Sequence, residues 1–413
     1  MKINYWACSI MWLIAMNFNG MACAQDEAKA FELVKKNAEQ GNAVAQHNLG
    51  VMYGKGVGVT QDYRMAFKWF KKSAAQGDAE AQYNIGLMYY KGVGVTQDYR
   101  MAFEWYQKSA EQGVAEAQYN LGLMYYKGER VTQDDRKAFE WFKKSAEQGD
   151  AKAQYNLGVM YRSGAGVTQD YRMAFEWYQK SAEQGNAMAQ YSLGLMYYRG
   201  MGVTQDYRMA FEWYQKSAAQ GDAEAQYNLG LMYHNGEGVI KDDRKAFEWL
   251  KKSAEQGDAK AQYNLGVTYD KGLGVIKDDR KAFEWLKKSA EQGNAEAQYN
   301  LGVMYYNGDR VTKDYRKAFE WFKKSAAQGH AKAQGWIGVM YYYGKGVIKN
   351  QLEGLAWFYM AKSSGADMDE VIHEQEQKSG AKFVLQAQER ARALQAEIAK
   401  NRSSSADGNG FRH

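Results

Sequence analysis

The 413-residue chain contains no proline, and its only two cysteines, Cys8 and Cys23, fall among the first 24 residues. Without proline, every helix end must be made by glycine or by a capping side chain. If the first 24 residues are removed, no disulfide, thiol nucleophile or cysteine-based metal site remains. What is left must then be stable through its core alone. Runs of like charge are also missing. The net charge of +6 comes from 54 basic and 48 acidic residues that are interleaved throughout, which excludes the basic footprint that nucleic acid requires. Beyond the N-terminal segment no apolar run reaches membrane-spanning length. The five histidines share no spacing, and His373-Glu374 lacks the second His of a zinc-protease helix. The paired carboxylates Asp134-Asp135, Asp242-Asp243 and Asp278-Asp279 each stand at a helix start, where negative charge meets the helix dipole. No acid–base, nucleophile or metal set emerges, so the expectation is a protein that is not an enzyme and needs no cofactor.

The first 24 residues differ from the rest. Lys2 gives a positive start, Ile3 to Phe18 is mostly apolar, and Ala22-Cys23-Ala24 places small residues at a cleavage site. Residues 1–24 therefore read as a secretory signal peptide cut near Ala24, which predicts a periplasmic or secreted protein. A lipoprotein signal through Cys23 is the weaker alternative, because Gly20 stands where that motif usually has Leu.

What the chain does have is a period. Gly41, Gly77, Gly113, Gly149, Gly185, Gly221, Gly257, Gly293, Gly329 and Gly365 are each 36 residues apart, and Trp69 to Trp357 keep the same step. Nine units run over 43–366. A fixed period of this size marks a solenoid, in which each unit buries its apolar face against its neighbours. In unit 115–150, Ala115 to Tyr126 predicts a first helix and Lys127 to Gln133 a turn-bearing loop. Asp134 is an N-cap, Asp135 to Gln148 a second helix, and Gly149 a left-handed C-terminal glycine. Residues 25–42 predict a lone capping helix, 367–400 a C-terminal capping helix, and 401–413 a disordered tail.

Within that unit, Leu121-Gly122-x-x-Tyr125 followed by Ala138-x-x-x-Phe142 resembles the tetratricopeptide pattern. The 36-residue length, the glycine-rich loop and the missing late proline point to its Sel1-like branch. The resemblance covers about residues 27 to 366. It implies an all-α, right-handed superhelical solenoid whose first helices line a concave groove. It also implies an exported scaffold or adaptor that binds a protein or peptide in the bacterial envelope or at a host. A cell-wall- or β-lactam-directed hydrolase, or a regulator of a cell-wall enzyme, is the alternative that such relatives suggest. A monomer is expected, with no nucleic acid and no membrane span.

Nine near-copies allow an internal comparison. In unit 79–114, Ala81, Gln82, Ile85, Gly86 and Tyr89 fall on one side of the first helix and should pack on the second helix. Phe103, Trp105, Tyr106 and Ala110 should supply the partner surface. Asn84, Leu87 and Glu80 fall on the other side, with Tyr83 at its edge. The tyrosines recur as Tyr83, Tyr119, Tyr155 and Tyr227, and the amides as Asn84, Asn120, Asn156, Asn228, Asn264 and Asn300. Two readings stand. The amides and rings could hold an extended peptide backbone, or they could seal one unit against the next. Positions that vary where all else is copied are candidates for specificity, among them Arg162, Met188 and His234. Solvent drift would explain them equally. Charges on the second helix read as solvation, with Glu104–Lys108 and Glu140–Lys144 as ordinary four-apart pairs.

Overall fold

The structure is a computed structural model that describes residues 20–408. Those residues form 21 helices and no strand. They divide into two units, residues 1–205 and 206–413. The first unit, from its described start, holds α1 (Gly20–Glu39) and the helix pairs up to α10 (Ala187–Arg199). The second runs from α11 (Tyr207–Ala219) to α21 (Ala381–Gly408).

Repeat two shows why the pattern folds as it does. α4 (Ala79–Lys91) begins on Asp78, whose carboxylate accepts from Ala81 N at 2.7 Å, and ends on Gly92 at φ +67°. α5 (Tyr99–Glu111) begins on Asp98, which accepts from Arg100 N at 2.9 Å and Met101 N at 3.1 Å. Each cap satisfies amides that the first turn cannot pair, an effect worth about 1 kcal/mol. Val114, with no polar side chain, supplies no cap. His330 does, because its Nδ1 accepts from Ala333 N at 3.1 Å.

The two helices meet where a side chain is missing. A Cβ at Gly86 would stand 2.7 Å from the Tyr106 ring, so that glycine is the hole into which the tyrosine fits. Ala81, Gln82, Ile85, Gly86, Met88, Ala102, Tyr106, Ser109 and Ala110 are buried together. Three further predicted core members pack against this core at its edge. Phe103 and Trp105 are only half-buried, and Phe103 meets Tyr125 of the following repeat edge-on at 5.6 Å. Likewise Tyr89 packs edge-on against Phe67 of the preceding repeat at 5.4 Å. This Phe–Tyr contact recurs from Phe31–Tyr53 to Phe319–Tyr341 and fastens successive repeats within each unit.

A buried polar network accompanies it. In repeat three, Gln118 donates to Ala110 O of the preceding second helix at 3.1 Å and accepts from Gln148 at 2.7 Å. Ser145 donates to Ala115 O at 2.8 Å. One glutamine thus ties three helices while meeting its own hydrogen-bonding needs.

The second-helix charges depart from expectation. Lys108 Nζ lies 4.5 Å over the Trp105 ring and Lys144 Nζ 4.1 Å over Trp141, while Glu104 pairs with Arg100 at 3.4 Å. Laying a lysine along an indole covers apolar surface and adds a cation–π attraction of roughly 0.5–1 kcal/mol. Where the second loop glycine is replaced, Arg130 and Arg310 adopt φ +60° and +62°. Arg310 binds Asp270 and also Asp279, the latter at 3.0 Å.

The ends also differ from the sequence reading. The predicted signal peptide lies mostly outside the described residues, and the first helix begins at Gly20, before the expected start of the cap. At the C-terminus an additional helix, α20 (Asp369–Lys378), precedes the cap, buries Ile372 and opens on two acidic residues. α21 continues through Lys400 to Gly408, where a disordered tail was expected. Asn401 to Asp407 are moderate helix formers, and no glycine interrupts them before Gly408. Arg390 anchors this helix to Glu353 on α19 (Gln351–Ser363) at 2.9 Å.

Candidate functional site

The predicted tyrosines and asparagines come together, but in pairs that cross from one repeat to the next. Asn264 Nδ2 donates to Tyr227 Oη at 3.2 Å. In the first repeat His47 takes the tyrosine's place, and its Nε2 lies 3.1 Å from Asn84 Nδ2. Burial pushes the phenols of Tyr83, Tyr119 and Tyr263 above their ordinary value, and Asn120, Asn156 and Asn300 beside them act in the opposite direction. Each ring rests on its own repeat's second helix: Tyr83 on Tyr106 at 5.9 Å, Tyr119 on Phe142 at 5.9 Å and Tyr155 on Tyr178 at 5.7 Å. The tyrosine is therefore a seal between repeats. The asparagine is half-committed: its amide N–H faces the ring, while the side chain stays only partly buried. Asn228 is half-buried as well.

Between one first helix and the next lies a cavity, found in equivalent form at three junctions. At the junction of repeats one and two it measures about 290 Å³ and is lined by Val51, Gly54, Phe70, Asn84, Leu87 and Lys91, among others. At the next junction it measures about 180 Å³, with Tyr90, Tyr106, Asn120, Leu123 and Glu129 on its walls. Between repeats six and seven it is about 90 Å³ and holds His234, Asp243, Leu250, Asn264 and Lys271. In each case an apolar floor from the second helix carries an asparagine on one wall and a lysine beside it. That is the composition of a site for an amphipathic chain segment.

The candidates for specificity separate here. His234 lies in the smallest cavity, with Nδ1 2.7 Å from Asp243 Oδ1. This histidine occupies the position of Gly54 and Tyr90, so one variable column lines the cavities. Arg162 belongs to that column and is half-buried near Tyr178. Met188 belongs to the other variable column; it is 56% exposed and lines none of the three cavities. In that column burial raises the carboxyl of Glu80, and the negative neighbours Glu116 and Asp78 raise it further. The cavities escaped the sequence reading because each is made by residues 30 to 40 positions apart. The signal for them was the coincidence of Gly54 and His234 in a column of tyrosines.

Among the described residues no group of three His, Cys, Asp or Glu side chains is placed to hold a metal, and no helix is long and apolar enough to cross a membrane.

Comparison with known proteins places this architecture. The Sel1 repeat model matches ten segments, from 11–42 through nine 35- or 36-residue blocks ending at 331–365. It thus adds the N-terminal segment containing α1 to the nine units read from the sequence. A protective antigen of uropathogenic Escherichia coli with an SLR fold is 34% identical, with a TM-score of 0.61, over 93% of this chain and 98% of that one. A Sel1 repeat protein from Oxalobacter formigenes is 33% identical, with a TM-score of 0.59, over 75% of this chain and 89% of that one. A search of the curated proteins finds no match. The ten matched repeats and the likeness to these relatives show that the chain belongs to the Sel1 repeat family.

Proposed function

We propose that this protein is an exported, non-enzymatic adaptor that holds an extended segment of another protein along the open face of its first helices. The row of inter-repeat cavities carries this reading. Each repeats an apolar floor and an asparagine wall and includes a lysine from one of the two first helices, which suits a chain whose side chains enter successive pockets while its backbone meets the amides. Sel1 repeats generally build interaction scaffolds, consistent with this use. Export is supported by Lys2, the apolar stretch from Ile3 to Phe18 and Ala22-Cys23-Ala24. A monomer in the periplasm or outside the cell completes the proposal.

The test is capture from envelope extract by the wild type and by a variant carrying Asn120→Ala, Asn156→Ala and Asn228→Ala. A defined partner retained by the wild type and lost by the variant is the expected result. Equal capture by both would overturn the groove. Mass spectrometry of the exported protein should find a mature chain beginning at Gln25; an intact N-terminus would overturn the export reading.

A further inference from the structure

The repeats supply their own template for what enters the largest of these three cavities. In repeat two the Tyr106 ring is flanked on both sides, by Tyr83 at 5.9 Å and by Tyr90 at 6.5 Å. Repeat three repeats the arrangement with Phe142 between Tyr119 at 5.9 Å and Tyr126 at 6.4 Å. In repeat one the equivalent ring, Phe70, has His47 on one side at 5.6 Å. On the other side stands Gly54, where the next two repeats have Tyr90 and Tyr126. The missing ring accompanies a larger cavity, about 290 Å³ against about 180 Å³ where Tyr90 is present, with Tyr63, Phe70, Leu87 and Met88 on its walls. Tyr63 corresponds to Tyr99, against which Tyr90 packs edge-on at 5.2 Å.

From this vacancy we infer that the Gly54 cavity receives an aromatic side chain of the bound partner, which takes the place that Tyr90 fills in the next repeat. This rests on the adaptor reading above and adds what the partner must carry. Edge-to-face packing against Tyr63 and tilted packing against Phe70, as in the next repeat, favour a ring over an aliphatic chain of similar size. Phenylalanine should serve at least as well as tyrosine. The Tyr90 hydroxyl donates to Glu129 at 3.1 Å, but Val93 holds the position of Glu129 in this cavity. Room for a ring is present at Gly54 itself, where an added Cβ would meet nothing nearer than Ala66 Cβ at 3.8 Å.

The test uses the full chain with isotope-labelled methionine methyl groups, titrated with N-acetyl-phenylalaninamide, N-acetyl-tyrosinamide and N-acetyl-leucinamide. The expected result is a ring-current shift of the Met88 methyl by the two aromatic amides, strongest for phenylalanine, and little from leucinamide. Gly54→Tyr should abolish the shift while leaving the protein folded and more resistant to urea; Gly54→Ala should keep it. An unmoved Met88 signal, an equal response to leucinamide, or a shift that survives Gly54→Tyr would overturn the inference. Loss of partner capture by the asparagine variants together with a silent Met88 would sink this inference and leave the adaptor reading standing.

Discussion

Two ladders of side-chain amides run through this protein, two residues apart on the same helices, and they have different fates. Gln154 is 5% exposed; it donates to Ala146 O at 3.2 Å and accepts from Gln184 at 2.7 Å. Asn156, one half-turn on, is half-buried, and its neighbour is the Tyr119 hydroxyl. The chemistry of the two amides is the same. Geometry decides that glutamine serves the fold entirely, whereas asparagine retains an accessible side. Recurrence alone therefore does not separate a residue committed to the fold from one that keeps an accessible side: the glutamine stands in all nine repeats and the asparagine in seven, with Ser192 and Trp336 in its place in the others. Commitment of the hydrogen-bonding atoms does separate them.

That contrast can be broken most forcefully at Gln154. Gln154→Leu removes the buried bond to Ala146 O and releases the exposed Gln184 amide to solvent, and should cost about 1.5 kcal/mol, read as a lower urea midpoint. A cost near zero would mean that the glutamine ladder is as dispensable as a surface amide. Tyr227→Phe removes the hydroxyl that Asn264 reaches, and should cost roughly 1 kcal/mol in the same assay. Partner capture should persist, because the asparagine itself remains. Asn156→Ala should lie within about 0.5–1 kcal/mol of wild type yet weaken partner capture, which inverts the Gln154 pattern. If the two substitutions behave alike, the comparison fails.

The smallest effect concerns His47, the one histidine in the tyrosine column. Burial lowers its pKa, with Asp78 and Asn48 opposing. A group lowered in this way contributes stability above its ordinary value of about 6.5, and that contribution is lost as pH falls below it. The wild type should therefore lose a few tenths of a kcal/mol more than His47→Tyr between pH 7.5 and 5.5. Paired urea titrations of the two proteins measure the difference, and equal pH slopes would refute it.

The helices, their caps and the close approach at Gly86 and Gly122 were legible in the sequence, because each depends on residues within one repeat. Contacts between repeats were not. Tyr89 reads as a member of its own repeat's core and joins it, but its ring also meets Phe67 across the boundary. Lys108 reads as the partner of Glu104, but the Trp105 indole three residues earlier offers a broader surface. The asparagine face was legible as a face. Its cavities were not, because a helical projection shows which side a residue faces and nothing of what the next helix leaves empty. Gly54 was visible as a break in a tyrosine column, and only the stacked rings of repeats two and three give that break a shape.

The joints between repeats also bear on how such a chain changes length. Gln154 donates eight residues back, Asn156 faces a tyrosine 37 residues back, and Tyr161 meets Phe139 22 residues back at 5.3 Å. Excision of residues 115–150 would bring these three side chains to Ala110, Tyr83 and Phe103, which are the same residue types as the partners they lost. Every joint would close again in register. For this architecture an unequal crossover in the gene removes or adds one whole repeat and leaves no scar in the fold, so under the adaptor reading proposed above the length of the partner segment it holds is open to selection in steps of 36 residues.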